Sequence, residues 1–203
     1  MGTNCAPALA NLYLYYYESL YVSKIEEEQG IDVARTFHTT FRLIDDVLTL
    51  DNPNLLPALN TPYEKGGIYP EALELEKTSS STEAVDFLGM HIRTIGKRLS
   101  LSVYDKRKDF PFKVKRYPVM QSLIPSYIPY GVFLGQLHRG YRICTLATDF
   151  LSYAVEVATI LRENGCVKAK LKRCFTSFVT NFVKKYPFPR VLLKQFRKRL
   201  GSS

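Results

Sequence analysis

Two adjacent aspartates, Asp45 and Asp46, interrupt a run that is otherwise apolar save for one arginine: Phe41-Arg42-Leu43-Ile44-Asp45-Asp46-Val47-Leu48. Carboxylates set side by side at a bend repel one another. A hard divalent cation such as Mg²⁺ relieves that repulsion by taking their oxygens as ligands. Magnesium accepts one or two protein carboxylates and completes its octahedron with water and substrate phosphates. Two such ions ~3.5–4 Å apart stabilise both the attacking and the leaving oxygen of an in-line phosphoryl displacement. The acid pair is therefore suited to nucleotidyl transfer, and equally to the plain role of solvated residues at a hairpin tip.

A second set of residues is suited to phosphate. Lys106, Arg107, Lys108, Lys113, Lys115 and Arg116 are interleaved with Phe110 and Phe112 and followed by Tyr117. Cations for phosphates and rings for bases are what a strand-binding channel combines, whereas a polar linker with rings docked on a core has the same composition. Lys168 and Lys172 lie one helical turn apart, with Lys170 and Arg173 nearby, as on a phosphate-tracking face. The triplet Arg197-Lys198-Arg199 serves the same end, an import signal, or a frayed basic terminus.

Other chemistries find no support. His38, His91 and His138 lack metal-ligand spacing to one another or to the cysteines. Phosphate-loop and dinucleotide fingerprints are missing, and Gly66-Gly67 reads as a turn. Cys5 has no identifiable base and reads as a small buried thiol at a helix start. The group Tyr13, Tyr15, Tyr16, Tyr17 and Tyr21 points in several directions on a helix, so half is expected in a core and half on the surface.

The elements that must position these residues follow from pattern. Residues 6–21 are rich in alanine, leucine and tyrosine, and with the polar stretch to Gly30 they predict one long helix. Residues 33–50 predict two short strands with a tight turn at the acids. A short helix is expected over residues 54–60, a loop over 61–70 and a strand over 73–77, where apolar and polar residues alternate. Residues 85–95 and 98–104 form β-like runs about Gly96-Lys97, a hairpin signal. Beyond Pro129 the period becomes helical. Phe133, Leu137 and Tyr141 share a face, as do Phe150, Ala154, Ala158 and Leu161 before a stop at Gly165. A further helix runs from about Val167 past Phe182, with Pro187 and Pro189 ahead of a basic tail. The expected division is residues 1–104, a basic aromatic linker over 105–129, and a helical part over 130–203.

Composition bounds the rest. The 203 residues are 46% hydrophobic and 23% charged, an ordinary globular balance. No apolar run reaches the ~18 residues of a spanning helix, and residues 6–17 carry no secretory pattern. The four cysteines lack framework spacing and are expected reduced. An intracellular protein, nuclear or cytoplasmic and not secreted, without a membrane partner, is the expectation. Residues 1–100 hold 8 Lys+Arg and 14 Asp+Glu, net −6, while residues 101–203 hold 20 and 5, net +15. Such asymmetry predicts two surfaces with different partners, and clustered positive charge favours a polyphosphate backbone. A well-solvated basic surface has the same signature.

Taken in order, these motifs resemble the reverse transcriptases (RNA-dependent DNA polymerases), and most closely those of Penelope-like and related non-LTR retroelements. Met1-Gly2-Thr3-Asn4-Cys5-Ala6-Pro7 ahead of a helix resembles the family's glycine-to-proline loop. Phe41-Arg42-Leu43-Ile44-Asp45-Asp46 is similar to the catalytic hairpin, residues 73–78 to the strand that follows it, and Phe87-Leu88-Gly89 to the primer grip. The resemblance implies an α+β fold: part of a polymerase palm, an antiparallel sheet with flanking helices, followed by an all-helical thumb. It further implies an RNA template, a DNA primer and deoxynucleoside triphosphates as partners, and two Mg²⁺ ions in the complete enzyme.

By the same resemblance Asp45 and Asp46 are the catalytic and metal-binding residues. Gly2, Asn4, Pro7 and Leu43 face nucleotide or template, Phe87, Leu88 and Gly89 form the grip, and Lys77 is a candidate general acid toward pyrophosphate. Lys106, Arg107, Lys108, Lys113, Lys115, Arg116, Lys168 and Lys172 contact nucleic acid. Leu43 stands where most of the family has tyrosine, as telomerase-type members also do with an aliphatic residue. No residue corresponds to the family's first catalytic aspartate, which implies a polymerase piece inactive alone. The alternative is a non-catalytic nucleic-acid-binding module derived from a retroelement.

Overall fold

The structure is a computed structural model that describes residues 5–79, 83–112 and 114–201. Helices and small antiparallel sheets make an α+β chain, divided into two compact units at Thr78/Ser79.

The first unit begins with α1 (Ala6–Gln29), an alanine- and leucine-rich helix with Pro7 in its first turn, where a missing N–H costs nothing. It stops at Gly30, whose φ of +92° is the backbone that glycine adopts without strain. A short α2 (Ile31–Arg35) and a 3₁₀ turn (Thr36–Thr39) lead into β1 (Thr40–Leu43) and β2 (Asp46–Thr49). These strands pair antiparallel from Thr40↔Thr49 to Leu43↔Asp46, so the reversal is Ile44-Asp45. Then come α3 (Leu55–Asn60) and a 3₁₀ turn at Tyr63–Lys65. Phe37, Leu55, Ala58, Ile68 and Tyr69 form a modest core against Leu14, Tyr17, Tyr21, Val22 and Val47. Tyr13, Tyr15 and Tyr16 stay exposed, so the tyrosine group divides as its spacing requires.

Two expectations fail here. The segment from Val33 to Thr39 is helical rather than extended. The turn drops Phe37 into the core, 5.6 Å edge-on from Tyr21, and Thr36 Oγ1 donates to the Val33 carbonyl at 2.7 Å. Residues 73–77 form no strand, because alternation makes a strand only where a neighbour supplies a ladder. Among the described residues the sheets are β1-β2 and β3-β4-β5, and this segment joins neither. Leu73 and Leu75 accordingly remain exposed.

The second unit opens on a meander, β3 (Ala84–Phe87), β4 (Met90–Ile95) and β5 (Arg98–Val103). The β3–β4 reversal is Leu88-Gly89, both with positive φ (+50° and +73°), the tight turn that matches the twist of its strands. A Cβ on Gly89 would come within 2.8 Å of Arg139 Nη2. Four helices follow: α4 (Ile128–Ile143), α5 (Ala147–Glu163), α6 (Lys168–Phe182) and α7 (Pro189–Arg199).

The meander belongs with these helices, whereas the sequence reading divides the chain at 105–129. Thr145 donates its N–H to the Leu101 carbonyl at 2.9 Å and accepts the Leu101 N–H on Oγ1 at 3.0 Å. Arg93 pairs with Asp149 at 2.6 Å, and Val103 packs on the helical core. That core is ring-rich, with Phe133, Phe150, Phe175, Phe178 and Phe196 at most 1% exposed.

The basic tail is likewise not frayed. It is the last turn of α7, whose Leu192 and Phe196 are buried, as is Leu200 that follows the helix. Cations in a last turn also complement the helix dipole. Phe196 stacks on Phe175 with ring centroids 3.8 Å apart. Phe196→Ala should therefore destabilise this unit by about 3–5 kcal/mol. Val191→Ala, on the exposed side of the same helix, should change stability by less than ~0.5 kcal/mol. Urea unfolding of the two variants checks this, and equal midpoints would mean that α7 is not docked.

Candidate functional site

The acidic turn is built from three elements of the first unit. Ile44, its first residue, has φ +56°, a left-handed backbone that is costly for a β-branched side chain. Asp45 and Asp46 are both exposed, and neither forms an ion pair with a described residue.

The side chain that links the turn to α1 is Arg42, one strand position before Leu43. Its Nε–H donates to Glu18 Oε1 at 2.5 Å and Nη2 donates to Glu18 Oε2 at 3.3 Å, a two-pronged pair with α1. Nη1 donates to Asn11 Oδ1 at 2.8 Å and to the Ile44 carbonyl at 3.2 Å, and Nη2 to the Asn11 carbonyl at 3.3 Å. All five N–H groups of the fork thus have acceptors, and the arginine side chain is only 12% exposed. Tyr69 donates its O–H to Glu18 Oε1 at 2.6 Å, and its phenol is pushed up by burial and by that bond to the carboxylate.

As a metal site the turn offers two hard oxygen donors from neighbouring residues, the type of ligand that Mg²⁺ takes. Among the described residues no group of three His, Cys, Asp or Glu side chains converges to hold a metal. The donor set fits one or two carboxylate ligands of such an ion and leaves the remaining positions to other oxygens.

The other residues singled out by sequence are placed as follows. Leu43 is exposed opposite Asp46, and Pro7 is exposed in the first turn of α1. Gly2, Asn4 and Lys113 lie outside the described residues. Lys77 is exposed on the irregular segment that replaces the expected strand. Phe87, Leu88 and Gly89 form the β3–β4 turn of the second unit. Cys5, expected buried, is exposed at the start of α1 because the core of this unit begins only at Leu14. The cysteines among the described residues are free thiols.

In the second unit, internal acids claim much of the basic linker. Arg116, with a side chain only 7% exposed, reaches Asp105 at 2.6 Å, and Arg107 reaches the same carboxylate at 2.9 Å. Lys108 pairs with Glu156 at 2.9 Å. Lys106 and Lys115 are exposed, beside the stacked and exposed pair Phe110 and Phe112, 5.4 Å between centroids. On α6, Lys168 donates to the Gly201 carbonyl at 3.4 Å, Lys170 lies 5.5 Å over the Tyr130 ring, and Lys172 is half-buried.

Residues 164–203 hold 11 Lys+Arg and no Asp or Glu. Lys184, Arg190, Lys194 and Arg197 within them are exposed. The positive surface of this unit is therefore carried by α6 and α7 more than by the linker.

Pattern reading missed Asn11, Glu18, Tyr69 and Asp105. One signal was present: Glu18 is the lone charged residue in the apolar stretch over residues 6–23 and Arg42 the lone charged residue of its strand, opposite charges on elements that must pack together. No protein-family model, curated protein or solved structure matches this chain.

Burial alone would raise the Asp105 carboxyl, but the Arg107 hydrogen bond and the Arg116 and Arg107 charges outweigh it and hold the group below its ordinary value. A depressed carboxylate contributes stability above its unfolded pKa and loses it as pH falls through the folded pKa. Wild type should thus lose this contribution below about pH 4. Asp105→Asn should be less stable by roughly 3 kcal/mol at neutral pH, because Arg116 is left buried without its counter-charge. It should also show a shallower acid limb in urea midpoints measured from pH 7 to pH 2.

Proposed function

We propose that this chain is a piece of an RNA-directed DNA polymerase of the retroelement type. Asp45 and Asp46 would hold Mg²⁺ where a primer 3′ hydroxyl meets the α-phosphate of an incoming deoxynucleotide. The observation that carries the reading is the acid pair itself: exposed at a strained reversal, without an ion-pair partner among the described residues, on a hairpin clamped to the helix that follows the glycine loop. Bound there, the metal would neutralise charge building on the attacking and departing oxygens. The chain's own residues would work by positioning and electrostatics rather than by covalent chemistry. Leu43, beside the acids, offers an aliphatic contact near the primer end. The order of helix, acidic hairpin, Leu88-Gly89 hairpin and helices agrees with the palm-to-thumb order that the resemblance implies. RNA, DNA and deoxynucleoside triphosphates are the partners in this reading.

A second reading has its own observation. A 40-residue stretch with 11 cations and no acid, exposed in part on α6 and α7, suits a module that binds nucleic acid without catalysis.

Two measurements test these readings. Mn²⁺, used as a paramagnetic stand-in for Mg²⁺, should broaden the Asp45 and Asp46 resonances selectively, and Asp45→Asn should abolish the effect. Primer extension on an RNA template, where it occurs, should fall at least ~100-fold in Asp45→Ala, the scale of lost transition-state charge stabilisation. Metal indifferent to Asp45, or extension that survives its loss, would remove the polymerase reading. RNA–DNA binding without metal capture, its salt slope reduced by about one in Lys194→Gln, would favour the module.

A further inference from the structure

Arg42 lies three residues before Asp45 on the strand that leads into the acidic turn, and a base so placed invites assignment as a phosphate contact. Its geometry argues otherwise. A guanidinium has five N–H groups, and here all five are committed: two to Glu18, two to the side chain and carbonyl of Asn11, one to the Ile44 carbonyl. Its charge is cancelled by Glu18, itself fixed by Tyr69. A nucleotide phosphate would have to displace this carboxylate and strand it, 29% exposed, beside the Tyr69 hydroxyl.

The contact that matters for the site is the bond to Ile44. A left-handed β-branched residue tends to relax toward the extended region, where its side chain no longer crowds the carbonyl that follows. Such a relaxation would rotate the following peptide and with it the direction of the Asp45 side chain. Arg42 holds the carbonyl at the pivot of that motion from within the same strand, while α1 holds Arg42. Asn11 and Glu18 are seven residues apart, two turns of one helix face, which sets both acceptors along the line of the fork.

We propose that Arg42 is the positioning residue of the acidic turn: with Glu18 and Asn11 of α1 as its anchor, it locks Ile44 in the left-handed conformation and so fixes Asp45 and Asp46, and it does not itself bind phosphate. The inference rests on the polymerase reading only for what the turn then holds.

The test separates the two. In Arg42→Lys the charge stays but the fork is lost. The Ile44 Cα and Cβ shifts should move toward extended values and the Asp45 and Asp46 amide order parameters should fall, while α1 and α3 shifts stay in place. Glu18→Gln, which preserves the shape of the anchor, should move the same signals in the same direction to a smaller extent, and it is the deciding variant if Arg42→Lys does not fold. Unchanged Ile44 shifts in either folded variant would overturn the proposal. So would a titration with inorganic pyrophosphate that shifts the Arg42 Nε resonance while Asp45 and Asp46 remain in place. Mn²⁺ broadening at Asp45 and Asp46 should need at least ~5-fold more metal in Arg42→Lys. Should wild type capture no Mn²⁺, the polymerase reading fails, and the Ile44 shifts still decide the role of Arg42.

Discussion

A ribbon of two four-residue strands is not stable by itself in water. The position of Asp45 and Asp46 therefore depends on what the β1–β2 hairpin is fastened to, and the fastening is the ion pair between Arg42 and Glu18. An exposed pair of this kind would contribute at most about 1 kcal/mol. This one differs in kind, because the arginine is largely buried, meets its carboxylate with two prongs and leaves no N–H unused. Removing either partner strands the other in a poorly solvated place. The same pair joins β1 to α1, and through Tyr69 to the segment after α3, so one interaction ties three parts of the first unit. Since the pair is neutral as a whole, the uncompensated charge near the tip is that of the two aspartates.

The second unit distributes its charge by the opposite rule. Three of its acids are spent on internal cations: Asp105 on Arg107 and Arg116, Glu156 on Lys108, Asp149 on Arg93. These pairs knit the linker and the meander to the helices, which is why cations at 107, 108 and 116 serve cohesion first. Beyond residue 163 the sequence holds no Asp or Glu, and cations of α6 and α7 meet neutral groups instead: Lys168 the Gly201 carbonyl, Lys170 the Tyr130 ring, Arg197 the Thr176 hydroxyl. A surface of one sign costs stability through self-repulsion. The stacked phenylalanines beneath it, with Phe196 between helices, supply the cohesion that offsets that cost.

How far the sequence could be read follows from the range of the interactions involved. Helices α4, α5 and α6 and the reversal at Asp45 rest on local period and turn chemistry, and they were legible, whereas α7 lay hidden in what read as a basic tail behind two prolines. The strand over residues 73–77 was not, because alternation describes a face and says nothing of whether a ladder partner exists. The unit boundary was misplaced because the contacts that decide it, Leu101 with Thr145 and Arg93 with Asp149, span 44 and 56 residues. For the candidate site, the acids stood out as a motif, whereas their support did not: Arg42 reaches Glu18 across 24 residues, and Tyr69 reaches it across 51.

The acids at this turn differ from ordinary solvated turn residues in what surrounds them. A reversal that only joins two strands is cheapest with glycine or asparagine at the left-handed position; Gly96 meets that need at the β4–β5 reversal, and Gly89 shares it with Leu88 at β3–β4. At position 44 the chain instead uses isoleucine, the only β-branched residue among the four non-glycine residues with positive φ that are described. It then sets two like charges side by side and lays a buried arginine under the strained carbonyl. Each of the first two choices costs free energy, and the third recovers it only by holding the turn still. A solvated bend gains nothing from being held still, since its side chains are satisfied by water in any orientation. Immobility has value where the direction of the carboxylates matters, and that is the physical reason to look for a cation at Asp45 and Asp46 rather than to regard them as solvated turn residues alone.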